Sequence, residues 1–375
     1  MKIKKLSYSD STHGSAVSPI EFERLNVLVG VSGAGKTTIL NGISKIAHLA
    51  FGERSSGVQW DIEYLDDKDN LVSWSGKQSK SFTVEDSGER ISKYTNEYLS
   101  INGELVFERT EGKTIFNGNS LPTLDQTLSL MYLLREDEKL KYAYECWLTI
   151  VFIDVGNDNF SNASMTSTLS ATVEDYIKSL RKFDIRKVSF QLKMLPTRQK
   201  IYYASKHDKP AFEDFVFVFT SIFPQVKKIK PFVYTHQVSP GQTRKSMIIN
   251  LEMSNGSTIP QASISSGMFK TMLVLAEIHF GNNGSPIIID EIENSLGVNC
   301  LPDVLSELEV ACNQVIMTSH HPRVINVIPT RYWKVVQRDS NGTVNAYLSN
   351  SVIDKNSSHD TFFQLLNSDL YNGIS

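Results

Sequence analysis

Gly30-Val-Ser-Gly-Ala-Gly-Lys36-Thr37 follows directly on the apolar run Leu25-Asn26-Val27-Leu28-Val29. Together they form a complete GxxxxGK[ST] phosphate-binding loop, placed where that motif has to stand, between a strand and a helix that starts near Thr37. Gly30, Gly33 and Gly35 let the backbone curl until successive N–H groups point at phosphate oxygens, and the positive end of the helix adds to the same field. Lys36 is expected to reach the β- and γ-phosphates, and the Thr37 hydroxyl to ligate Mg²⁺. Val31, Ser32, Ala34 and Thr38 complete the set of expected nucleotide contacts. The stretch therefore implies nucleotide binding, with ATP and Mg²⁺ as ligands.

At 375 residues the chain is long enough for two or three cores, or for one large α/β unit carrying an inserted lobe. Charged residues make up 21% and hydrophobic ones 41%, the proportions of a soluble globular protein. The net charge of -3 argues against wholesale coating of nucleic acid. No run of about 18 apolar residues exists, and Met1-Lys-Ile-Lys-Lys lacks the apolar core of a signal peptide, so the expected setting is cytoplasmic, without a membrane. Cys146, Cys300 and Cys312 are widely spaced and odd in number, which suggests neither a disulfide framework nor a zinc site.

On either side of the loop, Ile3 to Tyr8 and Ile20 to Val29 read as strands and Thr37 to Phe51 as a helix. Between Val58 and Asn119 short alternating runs meet at turn signals, among them Asn102-Gly103 and Glu111-Gly112, and predict a β-rich lobe. Helical periodicity is read from Leu124 to Ile150 and again between Val173 and Phe223. After Pro231 strands resume with an Asn255-Gly256 turn, then a helix from Ser266 to Phe280, the strand Pro286 to Asp290, and the strand Gln314 to Thr318. A pair of strands, Tyr332 to Val336 and Val344 to Leu348, closes the core. The expected architecture is α/β, in three parts. Residues 1–120 hold the phosphate loop and the β-rich lobe, 121–230 an inserted, mainly helical lobe, and 231–375 the second half of the core.

Two further stretches carry chemistry. Pro286-Ile-Ile-Ile-Asp290-Glu291 is an apolar strand ending in two acids, which delivers carboxylates to the carboxyl edge of a parallel sheet beside the loop. Asp290 is expected to hold Mg²⁺ through water, and Glu291 to polarise an attacking water. Ser263-Ile264-Ser265-Ser266-Gly267-Met268 opens the helix that precedes this strand, where a hydroxyl and a free backbone N–H make an anion site or, more simply, a serine N-cap.

With those residues in view, the chain resembles the ATP-binding-cassette ATPases of the SMC and OLD-like group. Ile264-Ser265-Ser266-Gly267 looks like a loose form of the family's signature, and Glu291-Ile-Glu293-Asn294-Ser295-Leu296 resembles its D-loop. Thr318-Ser319-His320-His321-Pro322 falls where the family places its switch histidine. His320 matches by its offset from Pro322, with His321 as the competing assignment. Gln126, in Leu121-Pro-Thr-Leu-Asp-Gln126-Thr, would be the lid glutamine that reaches Mg²⁺ and the nucleophilic water. Two departures from the family pattern stand out. Ser32 replaces the usual Asn of the loop, and the signature lacks its second glycine and its glutamine.

The resemblance implies an ATPase that forms a homodimer, or a higher homo-oligomer, with two ATP molecules sandwiched between the loop of one subunit and the signature of the other. It further implies a sensor or regulator of a separate effector, a nuclease encoded nearby, with bacteriophage defence as the setting. No nuclease motif is present after Pro322. Two other readings remain open at this point. One is a repair or recombination ATPase that clamps duplex DNA through the stretch Lys178 to Lys193, with Arg181, Lys182, Arg186 and Lys187, and through Lys227-Lys228-Ile-Lys230. The other is a scaffold that holds ATP with little turnover. The closing apolar segment Thr361-Phe-Phe-Gln-Leu-Leu is a candidate docking element or a helix over the chain's own core.

Overall fold

A computed structural model describes the chain except for residues 85–89, 154–166, 187–194, 240–241, 282–283, 295, 297–299, 322–323, 325–326 and 350–375. Lys187, Lys193, Ser295, Pro322 and the segment from Thr361 thus lie outside the described residues. The chain divides into two compact units, one from Met1–Asp158, Gly284–Glu291 and Gln314–Ser375, the other from Asn159–Asn283 and Ile292–Asn313. These boundaries differ from the sequence division at 120 and 230, because strands and helices between 159 and 283 share one core of their own.

The main sheet of the first unit has fourteen strands among the described residues: β1 (Lys2–Asp10), β2 (Ser15–Glu21), β3 (Leu25–Val29), β4 (Val58–Leu65), β5 (Leu71–Gln78), β6 (Tyr94–Ile101), β7 (Glu104–Thr110), β8 (Lys113–Phe116), β9 (Asn119–Leu121), β10 (Val151–Ile153), β11 (Ile287–Ile289), β12 (Val315–Thr318), β13 (Trp333–Arg338) and β14 (Thr343–Leu348). They pair in the order β9-β8-β7-β6-β5-β4-β1-β2-β14-β13-β3-β12-β11-β10. The run β13-β3-β12-β11-β10 is parallel throughout, and its members β3, β11 and β12 are buried along their whole length. Continuous apolar runs such as Ile287-Ile-Ile suit strands covered on both faces. From β1 to β9 the pairing is antiparallel, and β4 and β5 alternate buried and exposed residues. The expected β-rich lobe is therefore present, as a continuation of the same sheet through the β1–β4 pair.

The buried face of this extension is aromatic. Trp60 and Trp74 meet edge to face at 5.1 Å, and Trp147 stands 5.3 Å from Tyr64 and 5.8 Å from Trp74. All four rings are essentially sealed from solvent, and burial of each contributes on the order of 2–3 kcal/mol. The helix Lys36–Ala50 adds Ile39, Leu40, Ile43, Ile46 and Leu49 to the same core.

The stretch 124–150 departs from expectation. In place of one long helix it holds short turns, Leu130–Leu133, Lys141–Glu145 and a 3₁₀ turn Cys146–Thr149, and it leads into strand β10. Leu130, Met131, Leu140 and Trp147 are all buried because each turn dips separately into the core, and Leu140 and Trp147 fall seven residues apart, a helical spacing. The charged run Arg135-Glu-Asp-Glu138 between them provides no residue for a continuous buried face.

The second unit contains the helices Ala171–Ser179, Thr197–His207, Lys209–Ile222, Ser266–Phe280 and Leu301–Val310. With them goes an antiparallel ribbon of Val226–Ser239 and Gln242–Met253, flanked by Ser167–Thr168 and Thr258–Ile259. The Asn255-Gly256 turn joins Gln242–Met253 to Thr258–Ile259, with Gly256 at φ 85°. Inside this unit Lys200 and Glu277 form a buried ion pair at 2.7 Å, and Thr197 donates to the same carboxylate at 2.5 Å.

Candidate nucleotide-binding site

The strand β3 ends at Val29 and the chain turns at once into the phosphate loop. Gly33 and Gly35 take φ values of 83° and 100°, the left-handed region that glycine enters without penalty. At Gly35 a side chain is also excluded by packing: a Cβ there would stand 2.3 Å from Cγ2 of Val344 on β14. Lys36 is buried and curls back over the loop, its Nζ donating to the carbonyls of Gly30 at 2.8 Å and Val31 at 3.0 Å.

The acidic corner reaches the loop through sheet register. β11 lies between β10 and β12, all parallel, so its carboxyl end emerges at the same edge as the loop. Asp290 is fixed there by its own N–H, which donates to the Ile153 carbonyl at 3.0 Å. Its carboxylate accepts from the Thr37 hydroxyl at 2.9 Å and from the Thr318 hydroxyl at 2.5 Å. Thr318 in turn accepts from the Glu291 N–H at 2.7 Å. Glu291 has a φ of 44°, a left-handed backbone that costs a side-chain-bearing residue about 1–2 kcal/mol. A hydroxyl and a carboxylate side by side are hard oxygen donors of the kind Mg²⁺ takes, so the residues fit the ion.

A cavity of about 530 Å³ opens over the loop, and Glu291, His320 and Arg338 line it together with the loop residues. His321 is not among its lining residues; its N–H donates to the Ser319 hydroxyl at 3.1 Å. Two contributors went unread in the sequence. Thr318 could have been found from register, since Ile289 pairs with Met317 and the next residue on β12 falls opposite Asp290. Arg338 belongs to no motif and reaches the site only through the pairing of β13 with β3.

Gln126 needs correcting. It lines a different cavity of about 420 Å³, shared with Tyr94 and Arg109, and its carbonyl accepts from the Tyr94 N–H at 2.8 Å. The loop cavity does not include it among its lining residues. The chain reaches the edge beside Asp290 at β10 instead, and residues 154–166, next along the chain, are outside those described.

In the second unit Ser265 is the N-cap of the helix Ser266–Phe280, its hydroxyl accepting from the Met268 N–H at 3.4 Å. Ser265 and Ser266 are exposed and Gly267 is half-buried. One turn along, the fully buried Lys270 donates to the Asn294 carbonyl at 2.7 Å, joining the helix to the segment read as the D-loop. The basic stretches are partly neutralised. Glu252 lies 3.3 Å from Lys227 and 2.5 Å from Lys230, while Lys178 pairs with Asp175 at 3.1 Å.

Residues 154–326 match a family model described as "AAA domain, putative AbiEii toxin, Type IV TA system". No curated protein matches the chain. Among solved structures, an SMC head bound to the C-terminal winged-helix domain of ScpA aligns with a TM-score of 0.53 and 13% identity, covering 92% of this chain and 97% of that one. An SMC head with an extended coiled coil, bound to the C-terminal domain of ScpA and derived from Pyrococcus furiosus, gives a TM-score of 0.49 and 12% identity over 92% and 96% of the two chains. Among the described residues no helix is long and apolar enough to cross a membrane. At such identity the likeness is one of fold, and the fold of this chain is the ABC-type P-loop ATPase fold of an SMC head.

Proposed function

We propose that the chain binds Mg-ATP in the loop cavity and hydrolyses it, as an ATPase that dimerises around the nucleotide. The observation that carries this reading is the bond from the Thr37 hydroxyl to Asp290, with Thr37 lining the same cavity as Glu291 and His320. Thr37 and Asp290 would hold the metal, which when bound supplies charge neutralisation at the β- and γ-phosphates. The loop amides and Lys36 bind the phosphates themselves. Glu291 orients the attacking water and takes its proton, and His320 donates a hydrogen bond at the γ-phosphate end. Thr318 holds both acids in place. From a second copy, the exposed Ser265 and Ser266 and the helix start at Gly267 supply the anion contact that completes the sandwich.

In this reading closure and opening of the pair report nucleotide state to a separate effector, a nuclease encoded nearby, in bacteriophage defence. A family description that names a toxin of a toxin–antitoxin system suits a chain that works through a dedicated counterpart. The test is the solution mass of the Glu291→Gln variant by light scattering, with and without Mg-ATP. Loss of the water-orienting carboxylate should trap the closed state, so the mass doubles with ATP, and adding Ser266→Arg prevents it. A mass unmoved by ATP in a variant that still binds the nucleotide removes the sandwich from the account.

A further inference from the structure

Lys36 is not the cavity's only fixed cation. Arg338 is the last residue of β13, and β13 pairs in parallel with β3 through Trp333 and Val27, Lys334 and Leu28, and Val335 and Val29. That register carries Arg338 to the same edge of the sheet as the phosphate loop. Its Nε donates to the Gly33 carbonyl at 3.4 Å, its Nη2 to the Thr38 hydroxyl at 3.2 Å and its Nη1 to the Gly342 carbonyl at 2.9 Å. The hairpin behind it is held by the Asp339 carboxylate, which accepts from the N–H groups of Asn341 and Thr343, both at 2.9 Å. The guanidinium is therefore pre-positioned on a rigid turn, and a guanidinium has five N–H donors, more than these three contacts use.

Where it stands along the loop decides what it would touch. Thr37 bonds to Asp290, so that side of the helix start faces the carboxylates and the reacting phosphate. Thr38 is one residue on, about 100° around the helix, and its hydroxyl faces Arg338 instead. Lys36 spans the β- and γ-phosphates, which leaves the Thr38 side for the phosphate next to the nucleoside. We propose that Arg338 is a nucleotide-binding residue that contacts the α-phosphate end of the bound nucleotide, so that it holds ADP as firmly as ATP. This rests on the reading of the cavity as an ATP site.

The experiment compares ATP and ADP affinity, by calorimetric titration of the full chain, in wild type, Arg338→Gln, Arg338→Lys and Lys36→Ala. Charge-assisted bonds to phosphate are roughly twice as strong as neutral ones, so Arg338→Gln should weaken ATP and ADP by the same factor, about tenfold. Arg338→Lys, which keeps the charge, should lose clearly less. Unchanged affinity in Arg338→Gln overturns the proposal, as does a loss confined to ATP, which would put Arg338 at the γ end. Equal losses in the Gln and Lys variants also overturn it, since they mark a strap that only shapes the loop. Lys36→Ala separates the two levels: if it binds nucleotide as wild type does, the ATP site itself is refuted and Arg338's role with it.

Discussion

Replacing Thr318 by Val tests how the acidic corner is held. The two side chains have nearly the same volume, so packing around this fully buried position is conserved and the hydroxyl alone is lost. That hydroxyl serves two groups, the Asp290 carboxylate at 2.5 Å and the Glu291 N–H at 2.7 Å. A hydrogen bond to a charged group is worth about 1.5–3 kcal/mol and an orphaned N–H costs about 1–3 kcal/mol. Part of this is recovered, because Glu291 is freed to leave its φ of 44° and release about 1–2 kcal/mol of backbone strain. The net cost comes to about 2–4 kcal/mol, or a fall in Tm of roughly 5–12 °C for a unit of this size. Once relaxed, Glu291 no longer aims its carboxylate into the cavity, so phosphate release should fall by more than ATP affinity does. Thr318→Ser keeps the hydroxyl and gives up one methyl, about 1 kcal/mol, and should retain most turnover. Calorimetry and a phosphate-release assay on both variants decide the matter. A Thr318→Val protein that melts and turns over like wild type, or a Ser variant as damaged as the Val one, would show that the hydroxyl does not hold the corner.

Other consequences concern groups away from the cavity. Of the three cysteines only Cys312 is exposed, and burial pushes the Cys146 thiol up, so it stays protonated and unreactive. A colorimetric thiol reagent should label one cysteine at once and the other two only in denaturant; a second fast thiol would contradict the burial described. Glu97 is fully buried, and burial raises its carboxyl against the opposing pull of Arg109 and of the Leu130 N–H and Trp74 indole it accepts from. An acid whose pKa is raised by folding contributes its stability in full below its unfolded value and loses it as pH rises through the folded value. Glu97→Gln keeps one of those two acceptor positions and carries no titrating proton, so the stability of wild type relative to this variant should decline from pH 4 towards pH 8 in urea titrations. A difference that grows with pH would reverse the assignment.

Features set by neighbours in sequence were open to reading, and features set by distant strands were not. The strand-to-glycine step at Val29 and Gly30 and the two acids closing Ile287–Ile289 announce themselves within a few residues. Asn102-Gly103 does the same, since φ values of 51° and 83° are what a two-residue hairpin demands there. Strand β10 is only three residues long and carries no period of its own. Ahead of it, Leu140 and Trp147, seven residues apart, mimic one face of a helix because separate turns place them in one core. Polar clamps are equally silent in sequence. The Gln314 amide accepts from the Ile3 N–H at 2.8 Å and donates to the carbonyls of Ile3 at 2.7 Å and Glu23 at 2.8 Å, fixing three chain segments that no local pattern connects. Thr318 and Arg338 belong to this second kind, and Gln126 shows the converse, a residue with suitable chemistry carried by the sheet to another cavity.

Whether this cavity binds and hydrolyses ATP is decided by steady-state phosphate release measured alongside ATP binding. Magnesium-dependent turnover is expected in wild type, binding without turnover in Glu291→Gln, and neither in Lys36→Ala. Turnover that persists in Glu291→Gln, or ATP binding that survives in Lys36→Ala, would contradict the proposed site.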